Sequence, residues 1–295
     1  MADKISAQMV KDLRDQTGAG MMECKKALQE AEGDMAKAEL ILVTRGLKKA
    51  QKSASRTAAE GVILVQSNAT FSSMCEINCE TDFVARDENF NGFCNLVIST
   101  ILEQKISDVE ALAQCQIAGE SIEEKRQNLV AKIGENVQIR RINNIVINPG
   151  FVVGGYIHRG RIGVQAVLKG GDEALAKDLA MHIAAMNPQY IDSSEMPEER
   201  VAEQKAYLLE QEQSSGKPAN VIEKIVEGKL GKVLNEFCLM GQPFFKEPDL
   251  TIAALLKKNG AEIVEFIRYE VGEGIEVKKA NFADEVMAQA RGNNA

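Results

Sequence analysis

The sequence predicts an α+β fold assembled from several modules, and three observations predict it. The first 46 residues place apolar side chains at helical spacing between cap and stop signals, whereas residues 62–79 alternate in two short runs. A strand, strand, helix order then recurs from residue 152. Between Glu198 and Phe237 the period becomes helical throughout. With 295 residues, the chain is longer than one small core requires.

The opening segment reads as three short helices. Ser6 caps a helix over Ala7 to Thr17 with Met9, Val10 and Leu13 as its stripe and Gly18 as its stop. A second helix runs from about Met21 to Ala31 and ends at Gly33. Asp34 caps a third, with Ala38, Ile41 and Leu42 inward and Gly46 as its stop. Residues 47–56 are polar and basic and read as a helical linker. Two strands follow, Val62 to Gln66 and Phe71 to Cys79, then a helix over Glu88 to Leu102 with Phe90, Phe93, Leu96 and Val97 at helical spacing. Another helix near Ile122 to Lys132 and a strand over Val137 to Val146 complete this block.

The second block begins with a hairpin, Val152 to Ile157 and Arg161 to Val167, turning at Arg159-Gly160. A helix over Ala174 to Met186 comes next. Val201, Leu208 and Leu209 then mark one helix, and Ile222, Ile225, Val226, Leu230, Val233 and Leu234 mark another, with residues 214–218 as the turn. This antiparallel hairpin is an insertion, and its apolar edge invites pairing with a second copy. The block resumes with a strand over Glu262 to Val271, and Asn281 caps a last helix carrying Phe282, Val286 and Met287. The resulting modules are 1–55, a first α+β subdomain at 56–147, a similar second one at 148–190 with 240–280, the insert at 191–239, and a terminal helix at 281–295.

Composition narrows the function. A formal charge of −8 argues against general affinity for nucleic acid or anionic membrane, both of which need a cationic surface. No run nears the roughly 18 apolar residues of a membrane helix, and the N-terminus lacks signal-peptide character. Six scattered cysteines read as reduced thiols, so the expectation is a soluble cytoplasmic protein.

Catalytic chemistry finds little support. The two histidines, His158 and His182, lie in different elements, and His182 sits among apolar residues as a satisfied, semi-buried side chain. Cys75 and Cys79 lack the spacing and the second pair of a zinc site. Gly154-Gly155 and Gly160 to Gly163 form neither a phosphate loop nor a dinucleotide fingerprint. The expectation is a binding protein with no catalytic residue, cofactor or metal of its own.

Several segments carry a resemblance. These are Val10 to Arg14 continuing through Thr17 to Leu28, Thr81 to Asp87, Val130 to Asn136, Gly241 to Phe244, and Phe266 to Gly274. In this order and spacing they resemble the bacterial elongation factor Ts family from near residue 5 to near residue 288. The resemblance implies a guanine-nucleotide exchange factor for elongation factor Tu. It also implies a ubiquitin-associated-like (UBA-like) N-terminal bundle, a coiled-coil or dimerisation insert, and a C-terminal module.

Family members drive exchange by disturbing the magnesium site of the GTPase, and the matching segment here is Thr81-Asp82-Phe83-Val84. Read without the resemblance, Phe83 fills the core and Asp82 caps the next helix; with it, the two form a projecting wedge. The resemblance also makes Val10, Leu13, Met21 and Met22 partner contacts, although Val10 and Leu13 read equally well as bundle core. His158 lies on a turn that faces the partner in the family, but Arg159-Gly160 departs there from the usual small pair. Two other readings stay open: an adapter that binds without speeding nucleotide release, and a small-molecule enzyme with its site between the two subdomains.

Overall fold

The computed structural model describes residues 5–213 and 218–276. The terminal helix expected from Asn281 and most of the turn at 214–218 lie outside the described residues.

Three helices open the chain: α1 (Ala7–Thr17), α2 (Met21–Glu30) and α3 (Met35–Ser53). Ser6 Oγ accepts the Met9 N–H, Asp34 caps α3 by accepting from Lys37 N–H, and Gly18 ends α1 in the left-handed region. Val10, Leu13, Cys24, Ala27, Leu28, Ala38 and Leu42 meet at the centre. The contact role expected for Val10 and Leu13 is therefore corrected, because the stripe of α1 faces inward and covers both side chains. Gly46 does not stop α3, which continues to Ser53 and absorbs most of the supposed linker. A Cβ at Gly46 would stand 2.8 Å from Ala131 Cβ, so the glycine permits α3 to lie close against a later helix.

The first subdomain comprises β1 (Glu60–Ser67), β2 (Phe71–Cys79), α4 (Glu88–Gln104), α5 (Val109–Gln114), the short ribbon β3 (Gln116–Ile117) and β4 (Glu120–Ser121), α6 (Ile122–Ile133) and β5 (Gln138–Val146). Its sheet has the order β1-β2-β5, antiparallel throughout. Cys75, Ile77 and Cys79 on one face of β2 pack with Phe90, Phe93, Val97 and Ile101 of α4 and with Leu129 and Val130 of α6.

The second subdomain repeats this order with β6 (Phe151–His158), β7 (Ile162–Lys169), α7 (Glu173–Met186), the insert α8 (Glu198–Gln213) and α9 (Ala219–Phe237), the ribbon β8 (Pro243–Phe244) and β9 (Glu247–Thr251), α10 (Ile252–Lys258) and β10 (Glu262–Glu270). The sheet order is β6-β7-β10, so in both halves the last strand returns beside the second strand of the hairpin. In both halves the ribbon ends in a hydroxyl cap, Ser121 for α6 and Thr251 for α10. The insert occupies the place that the short α5 has in the first half.

The two sheets stack face to face. Ile63 and Met74 of the first pack with Val271, and with Ile267 and Tyr269 at the end of the second. Gly163 allows this approach, since a Cβ there would come within 2.3 Å of Ile63. Polar groups also cross the junction: Gln165 Nε2 donates to Ser72 Oγ at 2.6 Å, and Asn143 Nδ2 donates to Gln165 Oε1 at 2.9 Å. Fully buried Glu76 accepts from Gly272 N–H, Asn78 Nδ2, Arg140 Nη1 and Arg141 Nε.

In the insert, Leu208 and Leu209 of α8 meet Ile222, Val226, Leu230 and Val233 of α9. The stripe that invited a second copy is thus largely spent within the hairpin. At its base the outgoing and returning passages are bonded side by side. Tyr190 O accepts from Leu239 N–H at 2.9 Å, Ile191 O from Met240 N–H at 3.0 Å, and Phe237 O from Gln189 N–H at 2.9 Å.

Gln242 lies just beyond this seam, in the Gly241 to Phe244 segment. Its Nε2 donates to Glu236 O at 2.8 Å, which leaves Oε1 to accept from His182 Nε2–H at 3.0 Å. His182 is buried, its Nδ1 has no partner, and burial lowers its pKa below the usual 6.5. The unfolded chain then takes up a proton that the folded one resists, so stability falls as pH drops below about 6.5. Urea unfolding at pH 7 and pH 5 is expected to show a smaller loss for His182→Gln than for the unchanged chain. Equal losses would remove His182 as the cause.

Candidate functional site

The segment after β2 turns away from the sheet and re-enters the fold at α4. Val84 is buried and anchors its far end, while Asp87 accepts from Asn89 and Phe90 N–H groups at 2.8 and 3.2 Å as the cap of α4. The cap expected of Asp82 in the core reading is therefore supplied five residues later. Between these points Phe83 projects, 80% exposed, and among the large hydrophobic side chains described it is the most exposed. Asp82 is 49% exposed and pairs at 2.9 Å with Arg86, itself solvent-facing. Such a surface pair holds weakly, at about 0–1 kcal/mol, so it is readily exchanged for another partner.

Behind the projection the backbone is braced. Glu135 Oε2 accepts from the N–H groups of Glu80 and Thr81 at 3.1 and 3.0 Å, and its Oε1 accepts from Thr81 Oγ1 at 2.7 Å. Glu80 Oε1 in turn accepts from Asn136 N–H at 2.5 Å and from Arg56 Nη1 at 3.1 Å. Asn136 Nδ2 donates to Arg56 O at 2.8 Å. Cys79 Sγ donates to Thr81 O at 3.2 Å. The sequence marked residues 130–136 as a distinctive segment, but a partnership across 54 or more residues has no local signal.

The turn between β6 and β7 lies at the same end of the stacked sheets. Glu60 stands opposite Cys79 in the register of β1 and β2, and Arg161 forms an ion pair with Glu60. Ile63 N–H donates to Gly160 O at 2.7 Å, which fixes the turn against β1. His158 is exposed on this turn, with Tyr156 Oη 3.1 Å from its Nδ1. Arg159 and Gly160 both take positive φ, 51° and 73°, the geometry of a tight two-residue hairpin. Met21 and Met22 open α2 and are 44% and 65% exposed, in contrast to the covered Val10 and Leu13.

Other places offer less chemistry. A groove of about 940 Å3 beside β1 and β6 has Val65, Val152, Tyr156 and Ile157 in its lining, with Glu173 and Lys177 of α7. Burial pushes the Cys75 and Cys79 thiols up to about 12 and raises Cys94 as well, which keeps them protonated and unreactive. Among the described residues no group of three His, Cys, Asp or Glu is placed to hold a metal, and no helix is long and apolar enough to cross a membrane.

The family model described as "Elongation factor TS" matches residues 80–273, which begin at the braced connection and end beside the Glu76 cluster. An elongation factor Ts from Thioalkalivibrio sulfidiphilus is 51% identical over 290 residues, covering 98% of this chain and 99% of that protein. One from Alkalilimnicola ehrlichii is 50% identical over 98% of this chain and 99% of its own length. Another, from Idiomarina loihiensis, is 50% identical over 97% of each. With half of its residues shared along nearly its whole length, the chain belongs to the elongation factor Ts family of translation elongation factors.

Proposed function

We propose that the chain is the guanine-nucleotide exchange factor for elongation factor Tu, in which Asp82 and Phe83 form the wedge that disturbs the Mg2+ and nucleotide site. It binds the GDP-bound GTPase in the cytoplasm, lets GDP leave, and holds a nucleotide-free complex, with no covalent step of its own. One observation carries this reading: Phe83 stands out in solvent on a connection that is braced at both ends. A large aromatic side chain held outward gains free energy only when another surface covers it.

Magnitudes decide how much else is needed. Weakening nucleotide binding about ten-thousandfold takes about 5.5 kcal/mol of differential affinity. Burying one Phe supplies roughly 1.5–3 kcal/mol. The remainder comes from losing the magnesium ion that neutralises phosphate charge, and from a wide interface that holds the GTPase in its altered state. Met21, Met22 and His158 are exposed candidates for that interface. Reciprocity follows, because a factor that weakens nucleotide binding is itself expelled when nucleotide returns.

Because the apolar stripe of the insert is largely used between α8 and α9, the reading favours one chain per GTPase over a homodimer through the insert. The test is the release of a fluorescent GDP from elongation factor Tu. Stoichiometric amounts of the chain are expected to accelerate release by orders of magnitude. Binding without acceleration would leave the adapter reading in its place.

A further inference from the structure

We infer that Glu135 and Asn136 are positioning residues for the wedge, and that through them the end of α3 helps to hold Asp82 and Phe83 in their projecting geometry. The inference rests on the exchange reading above. Two segments far apart in sequence interlock through four hydrogen bonds, three into the Glu135 carboxylate and one from Asn136 back to Glu80. Each segment supplies both an acceptor carboxylate and backbone donors, so neither can shift alone without stranding the other's polar groups.

The bracing is placed where it matters for motion. Thr81 is tied in front of the wedge, Val84 is buried behind it, and Asp82 and Phe83 are the two residues left between. A wedge held in one geometry binds without first losing conformational freedom, whereas a loose one must be ordered in the complex. Glu135 touches no residue proposed to enter the partner except Thr81, and it acts through that residue.

The third member is the junction with the N-terminal bundle. Asn136 Nδ2 holds the carbonyls of Arg56 and Ala54, at 2.8 and 3.5 Å, just past the end of α3. Arg56 reaches Glu80 Oε1 and Gly134 O with the same Nη1, at 3.1 and 3.2 Å. A displacement of α3 when the bundle meets a partner is thereby passed to the backbone that carries the wedge. The same four-residue stretch, 134–137, also closes α6 and begins the run into β5, so it stands on a stiff support.

The experiment is a double-mutant cycle on the full chain, read as release of fluorescent GDP from elongation factor Tu over a range of factor concentrations. Glu135→Gln is expected to lower the maximal release rate about tenfold, the size expected when roughly one residue's backbone freedom returns. The factor concentration giving half-maximal rate should change by less than about twofold, since the rest of the interface is untouched. Added to Asp82→Ala with Phe83→Ala, Glu135→Gln should lower the rate no further, because there is no wedge left to position. Glu135→Asp should recover part of the rate.

A drop of equal factor in both backgrounds, or no drop in either, would overturn the inference. Thr81→Val, which removes the Oγ1 bond to Glu135 together with the longer 3.4 Å bond that Oγ1 accepts from Val84 N–H, gives the same comparison if Glu135→Gln fails to fold. An unchanged chain that releases no GDP would instead defeat the exchange reading on which the inference stands.

Discussion

Replacing Asp82 and Phe83 together by alanine is expected to slow GDP release from elongation factor Tu about a hundredfold at a given concentration of factor. The size follows from about 2 kcal/mol for the aromatic ring and about 1 kcal/mol for the carboxylate, with each 1.4 kcal/mol worth a factor of ten. Stability should hardly change. Phe83 is 80% exposed and makes no core contact, and the Asp82 partner Arg86 lies at the surface. Surface substitutions of this kind move stability by about 0.5 kcal/mol or less, which is about 1–2 °C in melting temperature for a protein of this size. Stopped-flow release and a thermal melt on the same preparation test both halves. A melting temperature that falls in step with the rate would return Phe83 to a structural role.

Glu76→Ala is expected to have the opposite profile, with a large loss of stability. The carboxylate is fully buried between the sheets and takes bonds from Gly272, Asn78, Arg140 and Arg141. Arg141 is also stacked 3.8 Å over the Tyr269 ring and pairs with Glu273 at 3.3 Å. Removing one partner of a buried ion pair costs about 3–5 kcal/mol. The arginines retain 26% and 28% exposure and regain some water, so the low end, about 3 kcal/mol, is expected.

Burial alone would raise the Glu76 pKa, but the bonds from Gly272, Asn78, Arg140 and Arg141 outweigh it and hold the group below its usual 4.5. Its contribution is therefore fully present above about pH 4.5 and is lost as pH falls through the lower folded value. The stability gap between the unchanged chain and Glu76→Ala should be wide at pH 7 and narrow towards pH 3. Urea unfolding at the two pH values measures it, and a gap below about 0.5 kcal/mol at pH 7 would mean that the Glu76 cluster adds no net stability to the junction of the sheets.

Local signals made much of this fold legible. Ser6, Gly18 and Asp34 mark ends of α1 and α3 because caps and stops act within a few residues. The 3/4 spacing from Ile222 to Val233 marks α9 because a single face packs on α8. Gly46 misled, since the reason for a glycine there is a neighbour on α6, not the helix that contains it. The ribbons β3–β4 and β8–β9 left no trace, because strands of two to five residues are too short to show a period.

The site was legible only in part. The resemblance implied partner contacts at Phe83, Met21 and Met22, whose side chains are exposed, and at Val10 and Leu13, whose side chains lie in the bundle core. The roles of Glu135 and Glu76 depend on chain segments that meet only after folding. Their sequence surroundings, an acidic residue after a helix and one within a strand, are ordinary.

The seam at the base of the insert gives it an independence that its size conceals. Tyr190 and Ile191 are already joined to Leu239 and Met240, so α7 and the β8–β9 ribbon meet whatever lies between. The insert beyond this seam can change in length and content so long as its last turn stays in place, where Glu236 O holds Gln242. Doubling such a segment costs only about 0.6 kcal/mol in closure. Relatives can therefore lengthen, trim or exchange it while the stacked sheets, and the exposed Asp82–Phe83 connection at their end, keep their places.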